Sequence, residues 1–224
     1  MCLKNKACSY VEEGGRYNSF LELNESDPNQ RRAGVSRTSV SPLEKMANAV
    51  TRVILRCEEA QENESLDLSE CQLMQVPDAV YHLMRHTELK RCDLSGNVIT
   101  KIPPKFAVKF SLISELNLSH NQMSKLPEEL SELQALERLD ISHNAFINLP
   151  PVACRIPRLK QLLANNNSII DVDVERLRHA PELELIDLRA NPLTQRMLDL
   201  LATLTRIRIE LSPRQMEDWE DLTI

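Results

Sequence analysis

Residues 116–149, LNLSHNQMSKLPEELSELQALERLDISHNAFINL, contain one pattern twice. Leu116, Leu118, Asn121, Met123 and Leu126-Pro127 return one period later as Leu139, Ile141, Asn144, Phe146 and Leu149-Pro150. Extending the asparagine position in both directions gives Cys71, Asn97, Asn121, Asn144, Asn167 and Asn191, at nearly even intervals. Six turns of one unit are therefore countable. Just upstream of each lies an alternating apolar pair: Leu66/Leu68, Cys92/Leu94, Leu116/Leu118, Leu139/Ile141, Leu162/Ala164 and Ile186/Leu188. Period-two alternation predicts a short strand with one buried face. Ile207/Ile209, slightly less than a full period after the last pair, predicts a seventh, irregular strand with no asparagine behind it.

One such unit cannot bury its own apolar stripe, so neighbours must stack. The order L-x-L-x-x-N-x-L-x-x-L-P resembles the leucine-rich repeat family over residues 65–193, in its intracellular form with turns of about 22 to 24 residues. The resemblance implies an α/β fold, a leucine-rich-repeat solenoid shaped as a curved horseshoe with parallel strands on the concave face. Three further stretches are similar to small intracellular members: MANAVTRVILRCEEA (46–60), SLDLSECQLMQVPDAVY (65–81) and NPL (191–193) followed by an L-S-P ending. That likeness begins near Leu43 and implies neither a recognised catalysis nor an established partner.

The chain divides into a disordered tail (1–40), an N-terminal capping helix (41–62), the repeat array (63–211) and a C-terminal cap with an acidic tail (212–224). The tail has few large apolar residues and no period. Ser41-Pro42-Leu43-Glu44 reads as a helix start, with Ser at the cap, Pro at the first helical position and Glu completing a capping box. Leu43, Met46, Ala47, Val50, Ile54 and Cys57 then recur every three or four residues and predict one apolar face, laid over the open end of the first turn. Met216 and Trp219 are expected over the last turn.

Net charge is −6, which leaves no broad basic surface for a phosphate backbone, so no nucleic-acid partner is expected. No apolar run is long enough to span a bilayer, and no signal-peptide core opens the chain. Six scattered cysteines, none clustered at the array ends, point to reduced thiols and an intracellular protein, cytoplasmic or nuclear.

The Asn column, with Cys71 in its first place, predicts amides that donate and accept across adjacent turns, where the chain leaves each strand. Outward strand positions form a column of Asp67, Asp93, Asn117, Asp140, Leu163, Asp187 and Arg208, beside one of Ser69, Ser95, Ser119, Ser142, Asn165, Arg189 and Glu210. Asp and Ser are the ordinary filling of this repeat, so the departures are more informative. Leu163 and Leu185 are apolar and outward on adjacent turns, and Arg138, Arg189, Arg206 and Arg208 are expected around them. Mixed apolar and Arg groups have the composition of an interface hot spot. With Asp140, His143 and Asp187 these residues make the candidate partner-binding set. The competing reading is a local strand shift in which Leu163 compensates for Ala164.

His120 and His143 hold equivalent places on adjacent turns, about 5 Å apart by the strand spacing. A zinc site needs three or four ligands, and the same place is Gly96 before and Asn166 after, so no metal or cofactor is expected. No nucleophile has a base and an orienting group beside it. The expected function is that of a monomeric, non-catalytic scaffold or adaptor binding a protein partner on its concave face. The alternatives are a regulatory subunit in a phosphatase or small-GTPase pathway and, from a different class, a metal-dependent enzyme.

Overall fold

The computed structural model describes residues 42–213, with side chains from Val50 onward. The 1–40 tail, the Ser41/Glu44 capping box and the placement of Met216 and Trp219 lie outside the described residues. Seven three-residue strands, β1 Ser65–Asp67, β2 Arg91–Asp93, β3 Glu115–Asn117, β4 Arg138–Asp140, β5 Gln161–Leu163, β6 Leu185–Asp187 and β7 Arg208–Glu210, form one parallel sheet in chain order. Parallel neighbours require a crossover, and each turn supplies one. These crossovers carry α2 (Asp78–Leu83), α3 (Lys105–Lys109), 3-10 turns at Glu128–Glu132 and Ala153–Arg155, α4 (Val174–Arg178) and α5 (Gln195–Leu201).

The core is the stacked interior of these turns. The middle residues of β1 to β6 are Leu66, Cys92, Leu116, Leu139, Leu162 and Ile186, none more than 2% exposed. Each buried Leu or Ile contributes roughly 1.5–3 kcal/mol relative to exposure, so the repeated column is the main source of cohesion. The crossover side adds Val80, Phe106, Leu130, Val152, Leu177 and Leu201. On the first and second turns Phe106 meets Phe110 edge-on at 5.1 Å, and Phe110 stacks on Tyr81 at 5.7 Å.

The final strand sits two places from its expected register. Ile209 pairs with Ile186 and Arg208 with Leu185, so the last interval matches those before it and the seventh turn is regular. Ile207, though buried, belongs to the lead-in. Three apolar residues at alternate positions, Ile207, Ile209 and Leu211, fit two registers equally well on alternation alone. The ladder decides between them, because the Leu188 N–H donates to the Glu210 carbonyl as the Ala164 N–H does to that of Asp187.

The capping helix α1 (Pro42–Asn63) packs on β1 and α2, with a buried face rotated from the expected one. Val53, Cys57 and Ala60 are buried, whereas Val50 is 61% and Ile54 38% exposed. The rotation brings Arg56 onto the first turn. Its guanidinium donates to the Ser69 carbonyl at 2.7 Å and the Asp67 carbonyl at 3.1 Å, and lies 3.5 Å from the Cys71 sulfur. The Ser69 carbonyl lacks the amide that later turns provide, since Cys71 stands in the Asn column, and the Asp67 carbonyl has no preceding strand to donate to it, as Leu68 does to Asp93. An arginine reaching in from the cap fills that place.

Candidate functional site

From the second turn onward, each Asn side chain joins two turns. Asn121 donates to the carbonyls of Leu94, Leu118 and Ser119 at 2.9 to 3.1 Å and accepts from the Ile99 N–H at 3.0 Å. Asn97, Asn144, Asn167 and Asn191 repeat the arrangement, with Asn97 accepting from both Cys71 and Leu73. A short amide is the one side chain that offers two donors and an acceptor within this reach.

The residue before each Asn-column position is left-handed: Glu70, Gly96, His120, His143, Asn166 and Ala190 have φ between 52° and 65°. Alternation and composition give no sign of this ridge, because only Gly96 among them is a glycine. The shared conformation aligns the rings of His120 and His143, which stack at 3.9 Å between centroids and 11° between planes. Flat stacking directs the ring nitrogens side by side instead of converging on one point. Among the described residues no group of three metal-ligating side chains occurs.

The third residue of each strand explains the acidic column. Asp67, Asp93, Asn117, Asp140 and Asp187 each accept, through a side-chain oxygen, from the backbone N–H two places on, at 2.8 to 3.0 Å. These are Asx turns that end the strand. Leu163 stands in the same place on β5 and has no oxygen to offer the Asn165 N–H. The register from β4 through β6 is unbroken and Ala164 is fully buried, so no strand shift accounts for Leu163.

Pairing fixes the surroundings of Leu163. It lies between Asp140 and Asp187, while Leu185 lies between Gln161 and Arg208 on the strand's first column, which reads Ser65, Arg91, Glu115, Arg138, Gln161, Leu185 and Arg208. Both leucines are half-buried. Arg208 therefore falls beside Leu185, and Glu210 takes the place in the Asp column expected for Arg208. Arg189 holds Asp187 with two bonds, 2.9 and 2.6 Å, and reaches Glu210 at 3.4 Å; Glu210 also pairs with Arg208 at 2.9 Å. Burial pushes the Asp187 carboxyl up, but the hydrogen bonds and charge of Arg189 outweigh this and hold it below the usual range.

Arg138 meets no carboxylate among the described residues; its guanidinium donates only to the Gln161 amide oxygen, at 3.2 Å. Arg206 is elsewhere. Its guanidinium donates to the Ala180 carbonyl just after α4, on the crossover side and away from the strand face. His143 lies on the left-handed ridge past the end of β4, edging the face instead of centring it. Gln161 and Glu210 were not legible from the sequence as members of this set, because their roles depend on which strand lies beside which.

The thiols of Cys57, Cys71, Cys92 and Cys154 are free and buried. Burial pushes Cys57 and Cys154 up to about 11 and Cys92 higher still, which makes them poor nucleophiles.

Seven parallel strands in chain order, an asparagine column joining the turns and a capped first turn define a leucine-rich-repeat solenoid. The chain belongs to that family. A family model described as Leucine rich repeat matches residues 87–146. The chain is 45% identical over 175 residues to mouse leucine-rich repeat-containing protein 20, and 44% identical to the human protein of that name. Each match covers 76% of this chain and 95% of the relative. Among solved structures, a leucine-rich-repeat protein of Leptospira interrogans superposes with a TM-score of 0.55 at 26% identity, over 62% of this chain and 34% of that one. An internalin from Listeria monocytogenes superposes with a TM-score of 0.50 at 18% identity, over 66% of this chain and 42% of that one. The chain thus spans well under two thirds of the structures it matches. No helix among the described residues is long and apolar enough to cross a membrane.

Proposed function

We propose that the protein is a monomeric, non-catalytic adaptor whose concave strand face binds a protein partner around Leu163 and Leu185. The observation that carries this reading is Leu163 itself. Five turns place an Asx cap at that position, and this turn gives the cap up for an apolar side chain at the surface. Loss of a hydrogen bond with no gain in burial serves no folding purpose, whereas an apolar centre within a polar rim suits a binding hot spot. Asp187, Arg189, Glu210 and Arg208 hold one another beside it, which reduces the ordering cost of association. Four free, buried thiols suit a reducing, intracellular compartment.

The test is affinity capture with the full-length chain. The double variant Leu163→Asp, Arg208→Glu is expected to lose its principal co-purifying protein while its melting temperature stays within experimental scatter. Undiminished recovery of that protein would move the site off this face.

A further inference from the structure

Ile147 and Ile170 stand three residues after Asn144 and Asn167, on the flank where the chain leaves the amide column. The second, third and sixth turns place Thr100, Ser124 and Thr194 there, and Met74 on the first turn is the other apolar residue. The two isoleucines are neighbours. The Ile170 N–H donates to the Ile147 carbonyl at 3.0 Å, and Asn148 bridges to Asp171 in parallel, outside the seven-stranded sheet. A β-branched pair suits such a ladder. Ile147 is nevertheless 56% and Ile170 47% exposed, so about half of that apolar surface gains nothing from folding.

Each isoleucine walls a groove. Ile147 shares one of about 450 Å³ with Leu126, Pro151 and Val152, and Ile170 one of about 660 Å³ with Val174, Met197 and Leu200. The acids lining them are engaged: Glu128 by Arg155, Asp173 by Arg176 and Glu175 by Arg178, while Asp171 accepts from its neighbouring Val172 N–H. Two cations are left open. Lys125 lines the first groove and Arg196 the second, and neither has an ion pair or a hydrogen-bond partner among the described residues. Lys125, Ile147, Ile170 and Arg196 come from four successive turns, which sets the cations about 14 Å apart by the strand spacing, with the isoleucines between them.

We infer that this flank is a second docking surface, separate from the strand face, and that it takes an extended protein segment with an apolar residue between two carboxylates. An extended chain turns alternate residues to one side and rises about 3.3 Å per residue, so acids at the first and fifth places span about 13 Å. The order acid-x-apolar-x-acid therefore sets its carboxylates on Lys125 and Arg196 and its apolar side chain on the isoleucine pair. An apolar contact ringed by complementary charge combines affinity with specificity.

The probe is a random dodecapeptide library displayed on phage and selected against the full-length protein, with the affinity of the winning peptide read by fluorescence anisotropy. Enriched sequences are expected to share the acid-x-apolar-x-acid order, and their binding to weaken with added salt. Lys125→Glu and Arg196→Glu, both at exposed positions, should each weaken it several-fold. Ile170→Asp should abolish it with an unchanged circular dichroism spectrum. Winners that are basic or lack acids overturn the inference, as does a selection without a consensus, or binding that both charge reversals leave intact. Sedimentation of the parent protein, but not of Lys125→Glu, with phosphatidylserine vesicles also overturns it, since the flank would then meet a lipid surface. The two surfaces fail separately. Peptide binding lost in Leu163→Asp and kept in Ile170→Asp refutes the flank, whereas the reverse pattern upholds the flank even where partner capture is indifferent to Leu163→Asp.

Discussion

Asn144 and Ala190 sit in neighbouring columns, yet substitution at each should move stability in opposite directions. The Asn144 amide donates to the carbonyls of Leu118, Ile141 and Ser142 and accepts from the Met123 N–H, so it serves four backbone groups. Asn144→Ala leaves them unpaired and should cost on the order of 1–3 kcal/mol in urea unfolding. Ala190 is held at φ 52°, where a Cβ is unfavourable and no side-chain bond offsets it. Ala190→Gly should therefore gain about 1 kcal/mol in the same assay. Asn was legible as a structural column because its spacing repeats. The left-handed ridge beside it was not, since Glu, His and Ala carry no mark of positive φ.

At the scale of an element, the capping helix shows how a face predicted from periodicity rotates once there is something to pack against. Positions 50, 54 and 57 share a helical stripe with Val53 and Ala60 close by, and periodicity alone does not choose among overlapping stripes. The choice falls where Arg56 meets the carbonyls of Asp67 and Ser69. Arg56→Met keeps most of the stem's packing and removes the donors. It is expected to lower stability by roughly 1 kcal/mol, whereas Arg52→Met, losing a single exposed bond to the Glu70 carbonyl at 3.3 Å, should be close to neutral by thermal melting. The last strand follows the same logic: Arg208 and Glu210 each move one column, to the places beside Leu185 and Asp187, because the neighbouring strand selects one of two registers.

Across the whole molecule, carboxylates at strand ends tie the array's stability to pH. Burial pushes Asp67 and Asp187 up, but hydrogen bonds from Ser69 to Asp67 and from Arg189 to Asp187, with the charges of Arg56 and Arg189, bring both below their ordinary value. A carboxyl with a depressed folded pKa contributes in full above its unfolded value of about 3.9, and that contribution is lost as pH falls through the folded value. The acid limb of a melting-temperature profile should thus be shallower in Asp187→Asn, with the two proteins converging at the lowest pH. Parallel profiles offset by a constant would contradict the Arg189–Asp187 pairing.

The sequence by itself determined the repeat: a strand of alternating residues, an amide after it and a crossover, once in every period. That information is local and repeated, so periodicity carries it without knowledge of neighbours. It also marked Leu163 as a departure from its column. The tertiary structure alone decided that this departure forfeits an Asx cap, that Arg189 grips Asp187, that Arg206 turns toward Ala180 and that Arg56 completes the first turn. Arg206 reaches a partner on another turn, and Arg56 reaches the first turn from the cap. The two-residue link that Asp187 makes and Leu163 forgoes takes its geometry from the turn that ends each strand, and periodicity records none of these.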